Sequence, residues 1–299
     1  MEDRCGGCSR EMFRIGARSS LRDPYGDGRK LSEGHPQLAL ESLDVYTAGV
    51  DSRTGEEARL EQVFRDIDVL VDTRTLTNVL VVGCGPRPTT VAILRRRGCD
   101  VIAVEPVATF VEAARRFLGS PDLVLQGSAE GLPVADESID LVFLESVLEH
   151  VDSPRRSLEE VHRVLRRGGV ALIVTTNRYS LSPGKPEFNA RYYSWFPPLL
   201  RESYVYFHLH YRPSLANYTE RPAVHWFSFA DLCALGRDVG FEKFYSHLDL
   251  RRGDATSRAS LKARLRSILV RGVQTSPLIR TLVLTQRGGT IFMLKRSLA

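Results

Sequence analysis

The sequence has 299 residues, of which 43% are hydrophobic and 26% are charged, and this composition excludes a disordered tail or a fibre. Its length favours one domain with large additions over tandem modules, and no apolar run approaches the roughly 18 residues that a membrane-spanning helix needs. The net charge of +5 is concentrated at one end, because the segment from Leu250 onward holds eleven Lys or Arg residues and one acidic residue.

The sequence shows no sign of export. The residues after Met1 are charged and no apolar stretch follows them, so no secretory signal is predicted and the cytoplasm is the expected location. The five cysteines are scattered and odd in number, which agrees with a reducing compartment. Only five of the 41 basic residues are lysine, a bias that runs along the chain, so no nucleic-acid partner is expected from the charge.

The first elements are an arm and a helix. Residues 1–54 are rich in Gly, Ser, Asp and Arg without sustained periodicity, which predicts a flexible N-terminal arm. From Gly55 onward, apolar residues recur at the three- and four-residue spacing of an amphipathic helix. These residues are Leu60, Val63, Phe64 and Ile67. The folded domain is therefore predicted to cover residues 55–299.

From Asn78 onward, short apolar runs alternate with helical patterns. The predicted strands cover residues 79–82, 101–104, 123–125, 141–144 and 170–174. Repeated strand-helix-strand units give a parallel sheet with right-handed crossovers and helices on both faces. The sequence therefore predicts an α/β fold of the Rossmann-like, doubly wound kind.

Two segments interrupt this rhythm after the fifth strand. Residues 177–229 hold fourteen of the 25 aromatic residues and are too long for an ordinary loop, so we predict an aromatic-rich insertion that forms a substrate lid. A helix at 229–239 and a strand at 241–245 follow. A basic helical insertion at 250–288 then precedes a last strand at 290–294.

The first strand leads directly into Gly83-Cys84-Gly85, and Glu105 ends the second strand. Glycines at this place let the backbone approach a ligand, which binds at the carboxyl ends of strands in open parallel sheets. A carboxylate after the second strand can accept hydrogen bonds from both hydroxyls of a ribose. A nicotinamide dehydrogenase and a methyltransferase that uses S-adenosylmethionine both fit these residues.

Four further motifs favour the second alternative. They lie at residues 126–133, 136–142, 148–151 and 160–169. In this order they resemble the class I S-adenosylmethionine-dependent methyltransferases, in the small-molecule branch similar to quinone-biosynthesis and natural-product or polysaccharide-pathway enzymes. The resemblance spans residues 78–176. It implies a mostly parallel seven-stranded sheet with an antiparallel edge hairpin, and S-adenosylmethionine as the cofactor.

The resemblance also implies a set of cofactor-binding residues. They are Gly83, Cys84 and Gly85 beside the methionine part, Glu105 at the ribose, Pro106 beside the adenine, Ser128, Ala129 and Glu130 in the adenine-capping loop, and Leu144 and Glu145 at the opening after the fourth strand. The chain departs from the family pattern at Val81, where an acid is usual, and at Arg87, where a third glycine is common. Ser128 stands where many relatives have an adenine-reading aspartate.

Few catalytic side chains are expected, because methyl transfer from a sulfonium mainly requires alignment and a dry site. An acceptor with a proton to lose would still gain from a nearby base. The candidate bases are His208 and His210, which alternation places on one face of a strand, and His150 after the fourth strand. A purely structural role is the alternative for each. No metal is expected, because no cysteine or carboxylate lies at ligand spacing from His208, His210 and His225 and the chemistry of the fold needs no metal.

The sequence thus predicts S-adenosylmethionine-dependent methyl transfer to an oxygen, nitrogen or carbon of a small-molecule or lipid- or sugar-linked acceptor. The alternative is a non-catalytic, methyltransferase-like binding or scaffold protein. Basic residues also flank an apolar stripe at 258–271, which is typical of a helix on an anionic membrane surface. A helix packed on the domain is the competing interpretation of that stripe.

Overall fold

The computed structural model describes residues 53–179, 223–250 and 271–295, apart from 273 and 288, together with isolated positions between 196 and 203. Nearly all of the predicted arm (1–54) lies outside these residues. So do most of the aromatic-rich insertion (177–229) and the first part of the basic insertion (250–288).

The described residues form one seven-stranded sheet. Its strands are β1 (Asn78–Val82), β2 (Asp100–Glu105), β3 (Val124–Gln126), β4 (Ile139–Glu145), β5 (Leu165–Val174), β6 (Phe241–Tyr245) and β7 (Thr290–Lys295). They lie side by side in the order β3-β2-β1-β4-β5-β7-β6. The first five strands pair in parallel, whereas β7 runs antiparallel to both β5 and β6. The carboxyl ends of β1 to β5 therefore meet at one edge.

Helices connect these strands. They are α1 (Arg53–Ile67), α2 (Thr89–Arg96), α3 (Ala108–Leu118), α4 (Pro154–Val164), α5 (Phe229–Asp238), α6 (His247–Leu250) and α7 (Pro277–Arg287). Local chemistry sets several ends. Ser153 caps α4 with its side chain, and Ser228 forms a reciprocal capping box with Asp231 at the start of α5. Gly119 ends α3 in the left-handed conformation.

The sheet is buried on both faces by two separate apolar clusters. Along β1, Val79 and Val81 belong to one cluster, and Leu80 and Val82 belong to the other. The first cluster packs against α1, α2 and α3, and the second packs against α4 and α5. Because both faces are covered, the strands need continuous apolar runs, which explains why they are recognisable in the sequence.

A buried carboxylate joins β4 to the start of β1 at the amino end of the sheet. Asp140, which is fully buried in β4, accepts hydrogen bonds from the backbone N–H groups of Thr77 (2.8 Å) and Asn78 (2.9 Å). The Nε of Arg166 lies 2.7 Å from its other oxygen. This arrangement fixes the start of β1 beside β4 and leaves the opposite edge available for a site.

The doubly wound α/β fold and the antiparallel edge strands predicted from the sequence are confirmed. The helix predicted from Gly55 begins at Arg53, and β5 begins at Leu165, five residues before the predicted start. The β5 difference arises from a register shift, because Ile139 pairs with Leu165 whereas Leu141 already pairs with Val170. Within the described ranges, no helix is long and apolar enough to cross a membrane.

Candidate functional site

The loop after β1 brings its backbone to the carboxyl edge of the sheet. Gly83 and Gly85 have φ values of 69° and 64°, a left-handed conformation that glycine adopts at little cost. The N–H of Gly83 donates to the carbonyl of Val104 at 2.7 Å. A Cβ on Gly83 would stand 2.3 Å from Cγ2 of Val147, whereas a Cβ on Gly85 would meet nothing within 4 Å. The loop is therefore packed against protein at Gly83 and open at Gly85.

Glu105 fixes the neighbouring loops from the end of β2. Its side chain is only 4% exposed, and its carboxylate accepts hydrogen bonds from the backbone N–H groups of Gly85 (2.9 Å) and Val107 (3.2 Å). Burial raises the pKa of Glu105, and these two hydrogen bonds oppose the shift. Each carboxylate oxygen keeps a lone pair for a further donor. Pro106, the next residue, is exposed at the same edge.

Cys84, between the two glycines, is not a nucleophile at neutral pH. Burial and the nearby charge of Glu105 raise the pKa of its thiol to about 12. The thiol therefore stays protonated and contributes packing rather than reactivity.

A cavity of about 140 Å³ lies beside this loop. It is lined by the end of β1 and the loop after it, by the start of α2, and by Phe143 and Glu145 of β4. Among the described residues that line it, Arg87 and Glu145 carry a charge. The volume is well below the roughly 300–1,000 Å³ of a pocket for a whole drug-sized ligand, so the cavity suits one end of a larger molecule.

A hydrogen-bonded network joins α1 to this cavity. Arg59 donates to both carboxylate oxygens of Glu145, at 2.6 and 3.0 Å, and also to Glu56 at 2.6 Å. Glu56 in turn accepts a hydrogen bond from the hydroxyl of Thr90 at 2.9 Å. Burial opposes the charge of Arg59, but the hydrogen bonds to Glu56 and Glu145 prevail and raise its pKa. Arg59 thus stays charged and holds Glu145 in one orientation.

The loop after β3 completes the edge on the other side. A bridge pairs Ser128 with Gly131, so the chain turns back on itself with Ser128 exposed and Ala129 buried. Glu130 accepts a hydrogen bond from the backbone N–H of Ser153 and so ties the loop to the start of α4. The structure brings these predicted adenine-loop residues to the same edge as Glu105, because the carbonyl of Glu105 accepts from the N–H of Gly127.

Buried residues and hydrogen bonds fix the segment after β4. Leu144 is fully buried, and Glu149 is 1% exposed and accepts a hydrogen bond from the hydroxyl of Thr175 at 2.7 Å. The backbone N–H of His150 donates a hydrogen bond to the carbonyl of Val147 at 2.9 Å, which forms a turn. His150 is half-buried in this turn, between β4 and α4, and its role as a base remains a prediction.

The other two predicted bases, His208 and His210, lie outside the described residues. His225 lies within them, and its Nε2 is 2.9 Å from the carbonyl of Val151, which gives it a structural partner. Among the residues that the structure describes, no group of His, Cys, Asp and Glu could hold a metal ion.

Comparison with known proteins assigns the central part of the chain. Residues 80–173 match the family described as a methyltransferase domain. Residues 80–173 therefore form a methyltransferase domain of the class I S-adenosylmethionine-dependent kind. An uncharacterized methyltransferase of Mycobacterium tuberculosis is 37% identical over 100 residues, which cover 33% of this chain and 40% of that protein. A malonyl-[acyl-carrier protein] O-methyltransferase of Enterobacter lignolyticus is 33% identical over 108 residues, which cover 36% and 42%.

The methyltransferase domain is thus the shared part, and the chain spans less than half the length of these two relatives. Among solved structures, an S-adenosylmethionine-dependent methyltransferase of Thermotoga maritima is 24% identical with a TM-score of 0.41, covering 70% of this chain and 81% of that one.

The residues of the methyltransferase domain fit the cofactor that it implies. The backbone at Gly85 is open to a ligand, and the carboxylate of Glu105 is fixed beside it with acceptor capacity to spare. Arg59 and Glu56 were missed from the sequence. Their only sequence signal is an acid and a base three positions apart on a helix, which surface helices commonly show.

Proposed function

We propose that this protein transfers a methyl group from S-adenosylmethionine to an oxygen, nitrogen or carbon of an acceptor. The observation that carries the proposal is the buried carboxylate of Glu105, held 2.9 Å from the N–H of Gly85 at the edge where the five parallel strands end. A fixed acceptor beside an open glycine loop suits a ribose and the chain attached to it.

The chain's own residues would act mainly by alignment. When bound, S-adenosylmethionine supplies a methyl group on a positively charged sulfonium. Glu105 would orient the ribose, and the loop at Gly83 and Gly85 would bring the backbone into contact with the ligand. The apolar walls at Val81 and Phe143 would exclude water from the cavity beside this loop. His150, His208 and His210 remain the candidate bases.

The acceptor that we propose is a small molecule or a lipid- or sugar-linked intermediate in the cytoplasm. The aromatic content of residues 177–229 supports it, since aromatic side chains stack on sugars, flat rings and lipid tails. One relative is named an O-methyltransferase of a malonyl group on acyl-carrier protein, which is compatible with a carrier-linked acceptor. We propose the same residues, 177–229, as the lid over this acceptor.

Calorimetry with the demethylated product, S-adenosylhomocysteine, tests the proposed function. We expect saturable binding with one site per chain, and no binding of NAD at the same concentration. Binding of NAD without binding of S-adenosylhomocysteine would favour the dehydrogenase interpretation. If neither S-adenosylmethionine nor its product binds, a scaffold protein would be favoured. Methyl transfer from labelled cofactor to extracted small molecules and lipids then identifies the acceptor class.

Contact with an anionic membrane is a further part of the proposal. On α7, Leu278 and Leu282 lie one turn apart and are 79% and 69% exposed. The apolar stripe at 258–271, with the basic residues that flank it, precedes them in the chain. Each basic residue near an anionic surface adds about 1 kcal/mol, so we expect the protein to sediment with acidic vesicles at low salt. Neutral vesicles and high salt should leave it in the supernatant.

A double variant, Leu278→Ser with Leu282→Ser, should weaken this sedimentation. Phe117→Ser, which changes a 41% exposed apolar residue on α3, is the matched control and should not. Protein that stays soluble with both vesicle types would make α7 part of ordinary packing and favour a soluble acceptor.

A further inference from the structure

We propose that Glu145 and Arg87 form a subsite for a zwitterionic α-amino-acid group, in which Glu145 accepts from the ammonium and Arg87 binds the carboxylate. The inference rests on the proposed function, because the amino-acid group we assign is the methionine end of the cofactor. It concerns which residues hold that end in this chain.

The strand register places the acid beside the glycine loop. Val82 pairs with Leu144 across β1 and β4, so Glu145 follows level with Gly83 at the carboxyl edge. The β1 wall of the cavity carries Val81, an alkyl side chain that cannot accept a hydrogen bond. The negative charge that faces the cavity therefore comes from β4, at Glu145, and not from β1.

Arg59 orients the carboxylate of Glu145 so that it can bind a cation. The guanidinium binds both oxygens of Glu145 from the α1 side, at 2.6 and 3.0 Å, and leaves a lone pair on each oxygen. Glu56 shares the same guanidinium at 2.6 Å and balances its charge. Arg59 is thus a positioning residue: it fixes the direction in which Glu145 presents its remaining lone pairs.

Arg87 supplies the opposite charge. It is an exposed residue that lines the same cavity, two positions after Gly85. A carboxylate that enters a cavity with one acid and one base is directed toward the base, and an ammonium is directed toward the acid. The volume of about 140 Å³ suits one end of a ligand, and the adenosine part would lie toward Glu105.

Calorimetry with two nucleosides tests this assignment. S-adenosylhomocysteine carries the amino-acid group, and 5′-methylthioadenosine lacks it. We expect wild type to bind the first at least about tenfold more tightly, as charge-assisted hydrogen bonds allow. Glu145→Gln and Arg87→Met should each lower the affinity for S-adenosylhomocysteine about tenfold and leave that for 5′-methylthioadenosine within about twofold. Glu159→Gln, which removes an exposed acid of α4 paired with Arg155, is the matched control and should change neither.

Variants of Arg59 separate positioning from folding. Arg59→Met should reduce the preference for S-adenosylhomocysteine, and Arg59→Lys should restore part of it, whereas a purely structural role would move both nucleosides together. Equal losses for both nucleosides, or no loss, in Glu145→Gln would overturn the subsite. Binding of free L-methionine that depends on Glu145, without the nucleoside preference, would assign the cavity to an amino-acid acceptor instead. If wild type binds neither nucleoside, the proposed function itself fails.

Discussion

Replacing Gly83 with alanine is expected to lower the free energy of unfolding by about 2–5 kcal/mol and to abolish measurable binding of S-adenosylhomocysteine. Two costs combine. A left-handed φ costs an L-residue about 1–2 kcal/mol, and forcing an extra methyl into packed space costs about 1–3 kcal/mol. The new Cβ would stand 2.3 Å from Cγ2 of Val147, a β-branched side chain with little freedom to turn away. Relief of this contact would displace the loop on which the cofactor depends.

Gly85→Ala separates the two costs. Gly85 has a similar φ of 64°, but nothing lies within 4 Å of its Cβ position, so this variant should lose only the conformational cost of about 1–2 kcal/mol. Adding Val147→Ala to Gly83→Ala should recover part of the lost stability. Urea unfolding followed by circular dichroism gives these differences. Equal destabilisation by the two single glycine variants would mean that Val147 plays no part.

The fold was predictable from the sequence because its strands are buried on both faces. Continuous apolar runs at 79–82 and 141–144 mark β1 and β4 directly, and both are confirmed with small extensions. The early start of β5 was not predictable, because residues 166–169 have no apolar pattern and join the strand through a bulge. Backbone pairing, which the side-chain pattern does not record there, determines that boundary.

The candidate site was predictable only in part. Gly83, Gly85 and Glu105 follow strands whose order can be read from the sequence, so their meeting at one edge follows from the fold. The pairing of Arg59 with Glu145 joins residues 86 positions apart, and no local pattern specifies it. Glu130 illustrates the opposite case, because the sequence places it in the adenine loop but does not reveal its hydrogen bond to Ser153.

Glu105→Ala is expected to weaken binding of S-adenosylhomocysteine about tenfold or more, because hydrogen bonds to a charged group are worth about 1.5–3 kcal/mol. The same change leaves the N–H groups of Gly85 and Val107 without their acceptor, so the free energy of unfolding should also fall, by about 2–4 kcal/mol. Glu105→Gln keeps the shape and one acceptor oxygen, and should lose affinity with a smaller loss of stability. A folded Glu105→Ala variant that binds as tightly as wild type would remove Glu105 from the site.

The pH dependence gives a second measurement of the same carboxylate. Burial raises the pKa of Glu105 above its ordinary value of 4.5, and ribose hydroxyls need the ionised form, so affinity should fall as the pH is lowered toward that raised pKa. The contribution of Glu105 to the free energy of unfolding should change with pH in the opposite direction to the affinity. The folded state binds this proton more tightly than the unfolded state, so wild type should lose stability relative to Glu105→Gln as the pH rises from 4.5 through the raised pKa. Calorimetry and urea unfolding across this range measure both effects, and the inflection in affinity should be absent from Glu105→Gln. An inflection that persists in that variant would assign the titration to another group.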